Sequence, residues 1–233
     1  MRALGVLFRK ELHATFTSPI AYAIGGVFLL VLGYTFSLTL FFTKVANLTY
    51  IFHQTYVLLV LLVPVLTMRV FAEERRSDTL ELLLTAPVAE VWVVLSKFLA
   101  SLALVTAMLV ASGAYAVVLG LYGQPDWAPI YGGYLALLLL ACLLVAVGTL
   151  TSALTENQVV AAAASLGTFL MLWFADSVAY LAPAPLDLFF INLSLIGHFT
   201  TFVRGSLFLS DAGYYVTLSL LALFLTTRAL ADR

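Results

Sequence analysis

The sequence has little of what soluble enzymes use. Only 10% of its 233 residues are charged, and its one cysteine, Cys142, can form no internal disulfide. None of its three lysines follows a glycine, which excludes a phosphate-binding P-loop. His13, His53 and His198 lie far apart on different predicted elements. Because they offer no metal-ligand spacing, we expect neither a metal site nor catalytic residues.

What the sequence has in excess is apolar residues. They make up 63% of the chain, and the mean hydropathy is +1.08. A bilayer core about 30 Å thick is crossed by a helix of about 20 residues. Backbone in lipid must form helices or a closed barrel, and no stretch alternates with a period of two. We therefore predict an all-α membrane protein with a single transmembrane domain over residues 1–233. Its six predicted spans cover residues 20–42, 50–68, 98–121, 130–150, 159–174 and 214–230.

The basic residues predict the orientation. Of eleven Lys and Arg, only Lys44 and Arg204 lie in the loops of one side. The other nine lie near the termini or between the second and third spans: Arg2, Arg9, Lys10, Arg69, Arg75, Arg76, Lys97, Arg228 and Arg233. Because positive residues stay inside, we predict a multi-pass protein of the cytoplasmic (inner) membrane with both termini cytoplasmic.

Residues 1–19 predict an amphipathic helix on the inner membrane surface. Its apolar face holds Leu4, Leu7, Phe8, Leu12 and Phe16. Its polar face holds Arg9, Lys10, His13 and Thr17. Glu11 falls on the apolar face, where a carboxylate in lipid would be unfavourable, so we expect a polar partner for it within the protein.

A compact charged loop separates the second and third spans. Its charged residues are Glu73, Glu74, Arg75, Arg76, Asp78 and Glu81. We expect the second span to continue as helix through Arg76. Asp78 and Glu81 then fit a capping box that starts a short helix, and Pro87 limits it to about two turns. This helix carries Thr79, Leu80, Leu82, Leu83, Leu84 and Thr85.

The leucines of this short helix have two possible environments. They can dip into the membrane surface, or they can fill a groove on a soluble partner. The flanking charges are mixed in sign, whereas a lipid-binding loop is more uniformly basic. The mixture favours a protein partner, and nothing in the composition points to a nucleic acid.

Three further segments leave alternatives open. The loop of Thr155, Glu156 and Asn157 lies on the same side of the membrane as the charged loop. It is either a second contact with the partner or an ordinary turn. Ala163 and Gly167, four residues apart in the fifth span, allow close helix approach within the subunit or at a subunit interface. Residues 177–210 hold two apolar runs too short to cross, which is typical of a re-entrant or interfacial segment.

The charged loop resembles the segment between spans two and three of ABC-2 family permeases, the type-2 ABC exporters. There, a Glu-(Arg/Lys)-x-x-Gly-Thr-Leu-Glu-x-Leu-Leu-x-x-Pro stretch forms a coupling helix. The matching residues are Glu74, Arg75, Thr79, Leu80, Glu81, Leu83, Leu84, Pro87 and Lys97. Asp78 and Ser96 stand where the family usually has glycine. "FRKELHATFTSPIAY" looks like the family's N-terminal elbow helix, and "LTENQVVA" is similar to the start of its fifth span. "HFTTFVRGSLFLSDAGYYVTLS" looks like the gliding-motility branch, with the nitrous-oxide-reductase maturation branch as a more distant relative.

The resemblance implies a function for the whole chain. It makes residues 73–90 a coupling region that docks on a separate ABC ATPase, and residues 1–19 an elbow helix. It also implies a second permease copy, identical or different, and transport, with export the expected direction. ATP and Mg would be used by the partner ATPase, and this chain would bind no cofactor.

Two other functions compete with this interpretation. A membrane scaffold would recruit a soluble partner through the charged loop without moving a substrate. A secondary transporter would show internal repeats and charges at mid-membrane depth, and the sequence has neither. A P-loop ATPase in the neighbouring reading frame would favour the ABC permease over both.

Overall fold

The protein folds into an all-α bundle, as predicted. The computed structural model describes residues 2–45, 47–76 and 89–231, with side chains from residue 5 onward. These ranges contain helices and no strand. The helices, numbered along the chain, are α1 Arg2–Thr17, α2 Pro19–Thr43, α3 Thr49–Thr67, α4 Ala72–Arg76, α5 Glu90–Tyr122, α6 Trp127–Leu154, α7 Gln158–Ala179, α8 Leu186–Leu193, α9 Leu195–Val203 and α10 Leu209–Ala231.

Six helical segments are long and apolar enough to cross a membrane, which confirms the predicted number of spans. They are α2, α3 with α4, α5, α6, α7 and α10. In the most apolar part of α5 and of α6, 61% of residues are buried, against 22% in α2 and in α7. Helix α6 packs against α3, α5, α7, α9 and α10. The bundle is therefore built around α6, with α2 and α7 at its periphery.

Glycines on α6 let neighbouring elements approach closely. A Cβ atom at Gly148 would overlap the side chain of Thr67 on α3, and one at Gly133 would overlap the ring of Phe52. Small residues at helix contacts are how membrane helices gain packing contacts, since lipid supplies no hydrophobic drive between them. Side chains of α3 therefore pack directly on the α6 backbone near both ends of α3.

The helix that follows the second span is interrupted where a continuous helix was predicted. Helix α3 stops at Thr67, a turn follows, and α4 begins at Ala72, so the expected continuous helix through Arg76 is wrong. Pro64 lacks a backbone N–H and crowds the preceding turn, which weakens the helix just before its end.

A distant serine stabilises this break. The hydroxyl of Ser152 on α6 donates to the Met68 carbonyl at 3.0 Å and accepts from the backbone N–H groups of Phe71 and Ala72, at 3.0 and 3.1 Å. One hydroxyl has one donor and two acceptor positions, so all three are used. These backbone groups would otherwise be buried without partners, at a cost of about 1–3 kcal/mol each.

The segment between the fifth and sixth spans forms two short helices, α8 and α9, bent by 60°. His198 on α9 stands between two oxygen atoms. Its Nδ1 lies 2.8 Å from Asp211 Oδ1, and its Nε2 lies 3.1 Å from the Asn192 carbonyl oxygen. The Tyr214 ring stacks on the imidazole, with centroids 4.2 Å apart. These contacts fasten α9 to the start of α10, and whether the segment enters a membrane remains a prediction.

Candidate functional site

The candidate site is the end of the bundle that carries α1, α4, the start of α5 and the α6–α7 turn. We call it the proximal end, and the opposite end, with α8 and α9, the distal end. The predicted short helix lies outside the described residues, together with its capping box: Asp78, Thr79, Leu80, Glu81, Leu82, Leu83, Leu84, Thr85 and Pro87. The flanks of the coupling region, from Glu73 to Arg76 and from Ala89 onward, are described.

Lys97, in the third turn of α5, lies at the centre of the proximal end. Its side chain is 4% exposed. Its ammonium lies 2.7 Å from Glu74 Oε1 on α4 and 3.3 Å from Glu11 Oε2 on α1. The same nitrogen stands 5.4 Å from the centre of the Phe71 ring, within the range of a cation–π contact. One buried cation thus joins α1, α4 and α5.

This contact gives Glu11 the polar partner expected from its place on the apolar face. The elbow helix packs chiefly against α5, which brings positions 11 and 97 together. Leu7, Leu12 and Phe16 are half-buried on this face, whereas Arg9 and Lys10 are exposed. Lys10 reaches Glu11 only at 4.0 Å. The placement of α1 on a membrane surface remains a prediction.

Arg75 joins the coupling region to the α6–α7 turn. Its Nη1 donates to the Ala153 carbonyl at 2.9 Å, and its Nε lies 3.7 Å from Glu156 Oε1. The last carbonyls of a helix lack intrahelical partners, so Arg75 satisfies one at the end of α6. Glu156 is 71% exposed, so its ion pair contributes little to stability.

The three residues of the α6–α7 turn have separate tasks. The Asn157 side chain accepts hydrogen bonds from Val159 and Val160 at the start of α7, as a helix N-cap does. The Thr155 hydroxyl accepts from the Asn157 backbone N–H at 3.2 Å. The Glu156 side chain makes no cap contact and lies exposed beside Arg75. The turn is therefore structural at two positions, and a second contact with a partner would depend on Glu156.

Glu73 and Arg76 are exposed on the flank of the coupling region. Together with Glu74 and Arg75 they make α4 a five-residue helix with one buried residue, Ala72. The inward pair, Glu74 and Arg75, ties α4 to α5 and to α6.

Two small residues of the fifth span, Ala163 and Gly167, lie on a face that points away from the subunit. Ala163 and Gly167 are exposed on α7, and no atom within 4 Å would meet a Cβ added at Gly167. Ala161, Ser165 and Phe169 form the buried face instead. Of the two alternatives for this face, packing within the subunit does not occur in the structure.

We expect Gly167→Leu to weaken pairing between two copies of this chain about tenfold, equivalent to about 1.4 kcal/mol. The leucine would hold the helix backbones apart where the glycine allows close approach. Gly213→Leu is the matched control, because Gly213 is also exposed and free of close neighbours, but lies on α10. Crosslinking yield across a dilution series in detergent measures the pairing. Equal losses in both variants would contradict an interface on α7.

The arrangement at the proximal end is suited to transmitting movement between helices. Among the described residues, no group of three or more His, Cys, Asp or Glu could hold a metal ion. The ion pairs of Lys97 and the hydrogen bonds of Arg75 and Ser152 link α4 to α1, α5 and α6. A displacement of α4 would therefore also displace α1, α5 and α6.

Similarity to known proteins agrees with this architecture. The family model described as "ABC-2 family transporter protein" matches residues 27–227, which include all six apolar helical segments in whole or in large part. A search of curated proteins gave no significant match. The chain has six apolar helical segments, and a charged segment held by ion pairs lies between the second and the third. The family model matches most of the sequence. The chain therefore belongs to the ABC-2 family of transporter membrane proteins, and is a multi-pass ABC permease subunit.

Proposed function

We propose that this chain is the permease subunit of an ATP-driven exporter in the cytoplasmic (inner) membrane. A separate ABC ATPase, with ATP and Mg, supplies the energy, and two permease copies surround the substrate path. The observation that carries the proposal is the buried Lys97, which ties the flank of the coupling region to the elbow helix and to the third span.

The mechanism follows from these connections. Closure of the ATPase pair on ATP would push the coupling region of each permease. Helix α4 would pass this movement through Glu74 to Lys97, and so to α1 and α5. Through the turn held by Ser152 it would also reach α6, the centre of the bundle. Packed helices respond by rigid-body rocking, which would alternate inward- and outward-facing states.

The proposed orientation predicts a labelling result. With both termini cytoplasmic, a cysteine introduced at position 78 should react with an impermeant thiol reagent only from the cytoplasm. A cysteine at position 126, the N-cap of α6 at the distal end, should react from outside. Cys142→Ser provides the background, because Cys142 is the only native thiol. The reverse pattern in sealed vesicles would contradict the orientation.

The proposed docking contact is tested by Leu83→Asp. Burying a leucine contributes roughly 1.5–3 kcal/mol, and the aspartate adds an unpaired carboxylate inside an apolar groove. We expect the variant to lose the ATPase, with at least a tenfold drop in ATPase recovered by a pull-down of the permease in detergent.

The matched control is Leu181→Asp, which makes the same change at the distal end, where Leu181 is 88% exposed. It should keep the ATPase at the wild-type ratio. Recovery of the ATPase by Leu83→Asp at that ratio would contradict docking through the coupling region. Loss in both variants would indicate a general folding defect and would equally contradict a local docking contact.

A further inference from the structure

A cluster of ionisable residues at the distal end has no part in the proposed coupling. His198 on α9, Asp211 in the first turn of α10 and Tyr214 three residues further along meet where the two helices lie side by side. The side chains of His198 and Asp211 are 16% and 12% exposed, so water reaches both but surrounds neither. All three residues lie away from the proximal end, where the coupling region would dock.

The two contacts of His198 set the number of protons that the cluster holds. Nδ1 lies 2.8 Å from Asp211 Oδ1, and Nε2 lies 3.1 Å from the Asn192 carbonyl oxygen. A backbone carbonyl and an ionised carboxylate can only accept, whereas a neutral imidazole has a single N–H to donate. Both hydrogen bonds are therefore made only when His198 and Asp211 share one further proton.

The surroundings favour placing that proton on the imidazole. The start of a helix stabilises an ionised carboxylate, and Asp211 lies in the first turn of α10. The Tyr214 ring stacks on the imidazole with centroids 4.2 Å apart, a position that favours a cation. Asp211 Oδ2 is buried and has no hydrogen-bond partner among the described residues. The imidazolium is therefore the counter-ion on which this carboxylate depends.

No other charged residue in the described part of the chain lies within ion-pair distance of either member. The ionisable residues at the distal ends of the elements around α9 are Tyr50, His53 and Tyr56 on α3, Asp126, Tyr131 and Tyr134 at the start of α6, Asp176 and Tyr180 at the end of α7, Asp187 on α8, Arg204 after α9, and Tyr214 and Tyr215 on α10. Among these residue types, only histidine ordinarily changes its charge between pH 5 and 8. His53 contacts a carbonyl of its own helix, so the pair is the proton site at this junction.

Loss of the shared proton to water would break one of the two contacts. The imidazole would keep one N–H, which can donate to Asp211 or to Asn192 but not to both. The nitrogen without a proton would then face an oxygen lone pair, and a buried polar group without its hydrogen bond is unfavourable. Asp211 would lose its counter-ion in the same step. His198 therefore holds both neighbours only while the proton is present.

The bend between α8 and α9 has separate contacts with α10. The Tyr214 hydroxyl donates to the Leu193 carbonyl at 2.7 Å, and the Tyr215 hydroxyl donates to the Leu195 carbonyl at 3.0 Å. Tyrosine ordinarily ionises near about pH 10, so neither bond changes in the range in which histidine titrates. His198 lies about one turn further along α9. Breaking its contacts would free α9 to move about a bend that stays in place.

We propose that His198 and Asp211 form a proton-operated latch that fastens α9 to α10 at the distal end. The latch is closed while the pair shares a proton and opens when that proton passes to water. Where only the closed form keeps this proton, each unit by which the pH falls favours closing by up to about tenfold. In the proposed orientation the proton comes from outside, so an acidic exterior would hold the outer end of the permease closed. The latch itself requires neither ATP nor a partner.

The test is the accessibility of a thiol placed at the junction. Leu195→Cys, in a Cys142→Ser background, puts one cysteine at a buried position beside α10. Leu181→Cys in the same background is the reference, because Leu181 is 88% exposed. Dividing the first labelling rate by the second at each pH removes the ordinary rise in thiolate with pH. In the purified full chain we expect this ratio to rise at least about tenfold between about pH 5.5 and 8.5.

Variants of the pair decide whether this rise comes from the latch. His198→Gln cannot take up the proton, so it should make the ratio independent of pH. Asp211→Asn removes the counter-ion, so the imidazole should lose its proton more readily and the rise should move to lower pH. His53→Gln, the same change in another histidine beside Phe199, should leave the rise in place. A rise retained in His198→Gln, abolished in His53→Gln or unmoved in Asp211→Asn would overturn the proposal.

The proton can also be observed without altering the pair. The chain has three histidines, so ¹⁵N-histidine spectra of His13→Gln and His53→Gln identify the signals of His198. We expect two N–H groups on the His198 ring at the pH values where the labelling ratio is low, and one where it is high. A His198 spectrum that stays the same across this pH range would contradict the latch.

Discussion

Lys97→Met should destabilise the protein and uncouple it from its ATPase. The methionine keeps most of the volume of the lysine stem but removes the charge shared by Glu11 and Glu74. Removing one partner of a buried ion pair costs about 3–5 kcal/mol, because the remaining charges lose their closest counter-ion in a place that water reaches poorly. Both carboxylates keep some contact with water, so we expect a value near the lower end. Thermal unfolding in detergent measures the loss.

Two further variants separate stability from coupling. Lys10→Met makes the same change at an exposed residue that meets the same Glu11, and it should cost at most about 1 kcal/mol. Lys97→Met combined with Glu11→Gln and Glu74→Gln removes all three charges and should recover most of the stability. If α1 and α4 act through this contact, the triple variant should bind the ATPase yet show no substrate-stimulated hydrolysis. Wild-type stimulation in the triple variant would contradict the proposed path.

Gly148→Ala should produce a comparable loss of stability by another route. Its new methyl group would overlap the Thr67 side chain, which is buried and held by its hydrogen bond to the Val63 carbonyl. Overpacking of a close-packed interior costs typically about 1–3 kcal/mol, and here two spanning helices must separate to relieve it. We expect a lower melting temperature than that of the wild type, and less monodisperse protein remaining after heating in detergent.

Gly113→Ala is the matched control, because the same methyl group on α5 meets no atom within 4 Å. It should be neutral or slightly stabilising, since alanine restricts the unfolded chain more than glycine does. Adding Thr67→Ala to Gly148→Ala should restore part of the loss, because it removes two of the overlapping atoms. A normal melting temperature for Gly148→Ala would show that α3 and α6 are not in contact there.

The fold class was predictable because membrane-spanning helices need long apolar stretches, which are visible in the sequence. An apolar stretch of the right length has few alternatives in lipid, so the number of spans followed from hydropathy alone. Glu11 was predictable for the same reason: a carboxylate on an apolar helix face needs a partner, and the structure supplies Lys97. That this partner is Lys97 was not predictable, because a contact between residues 86 positions apart depends on how the helices pack.

The break after α3 was missed because its stabilising group is far away in the sequence. Pro64 was visible, but a proline near the end of a span can equally be absorbed as a kink. What fixes the turn is Ser152, one of many small polar residues in the spans, with nothing in its neighbours to mark it. The close-contact glycines of α6 were likewise indistinguishable from Gly167, since the same residue type serves a packed face in one helix and an exposed face in another.

The placement of the elbow helix against α5 also constrains how the protein is made. Glu11 leaves the ribosome 86 residues before Lys97, an interval of roughly 4–17 s at common rates of synthesis. During that interval the elbow helix has no α5 to pack against. Only the lipid surface can cover Leu7, Leu12 and Phe16 until then, because a helix forms far faster than the rest of the chain emerges. The same apolar face would thus bind the lipid surface while the chain is being made, and pack against α5 once the protein has folded.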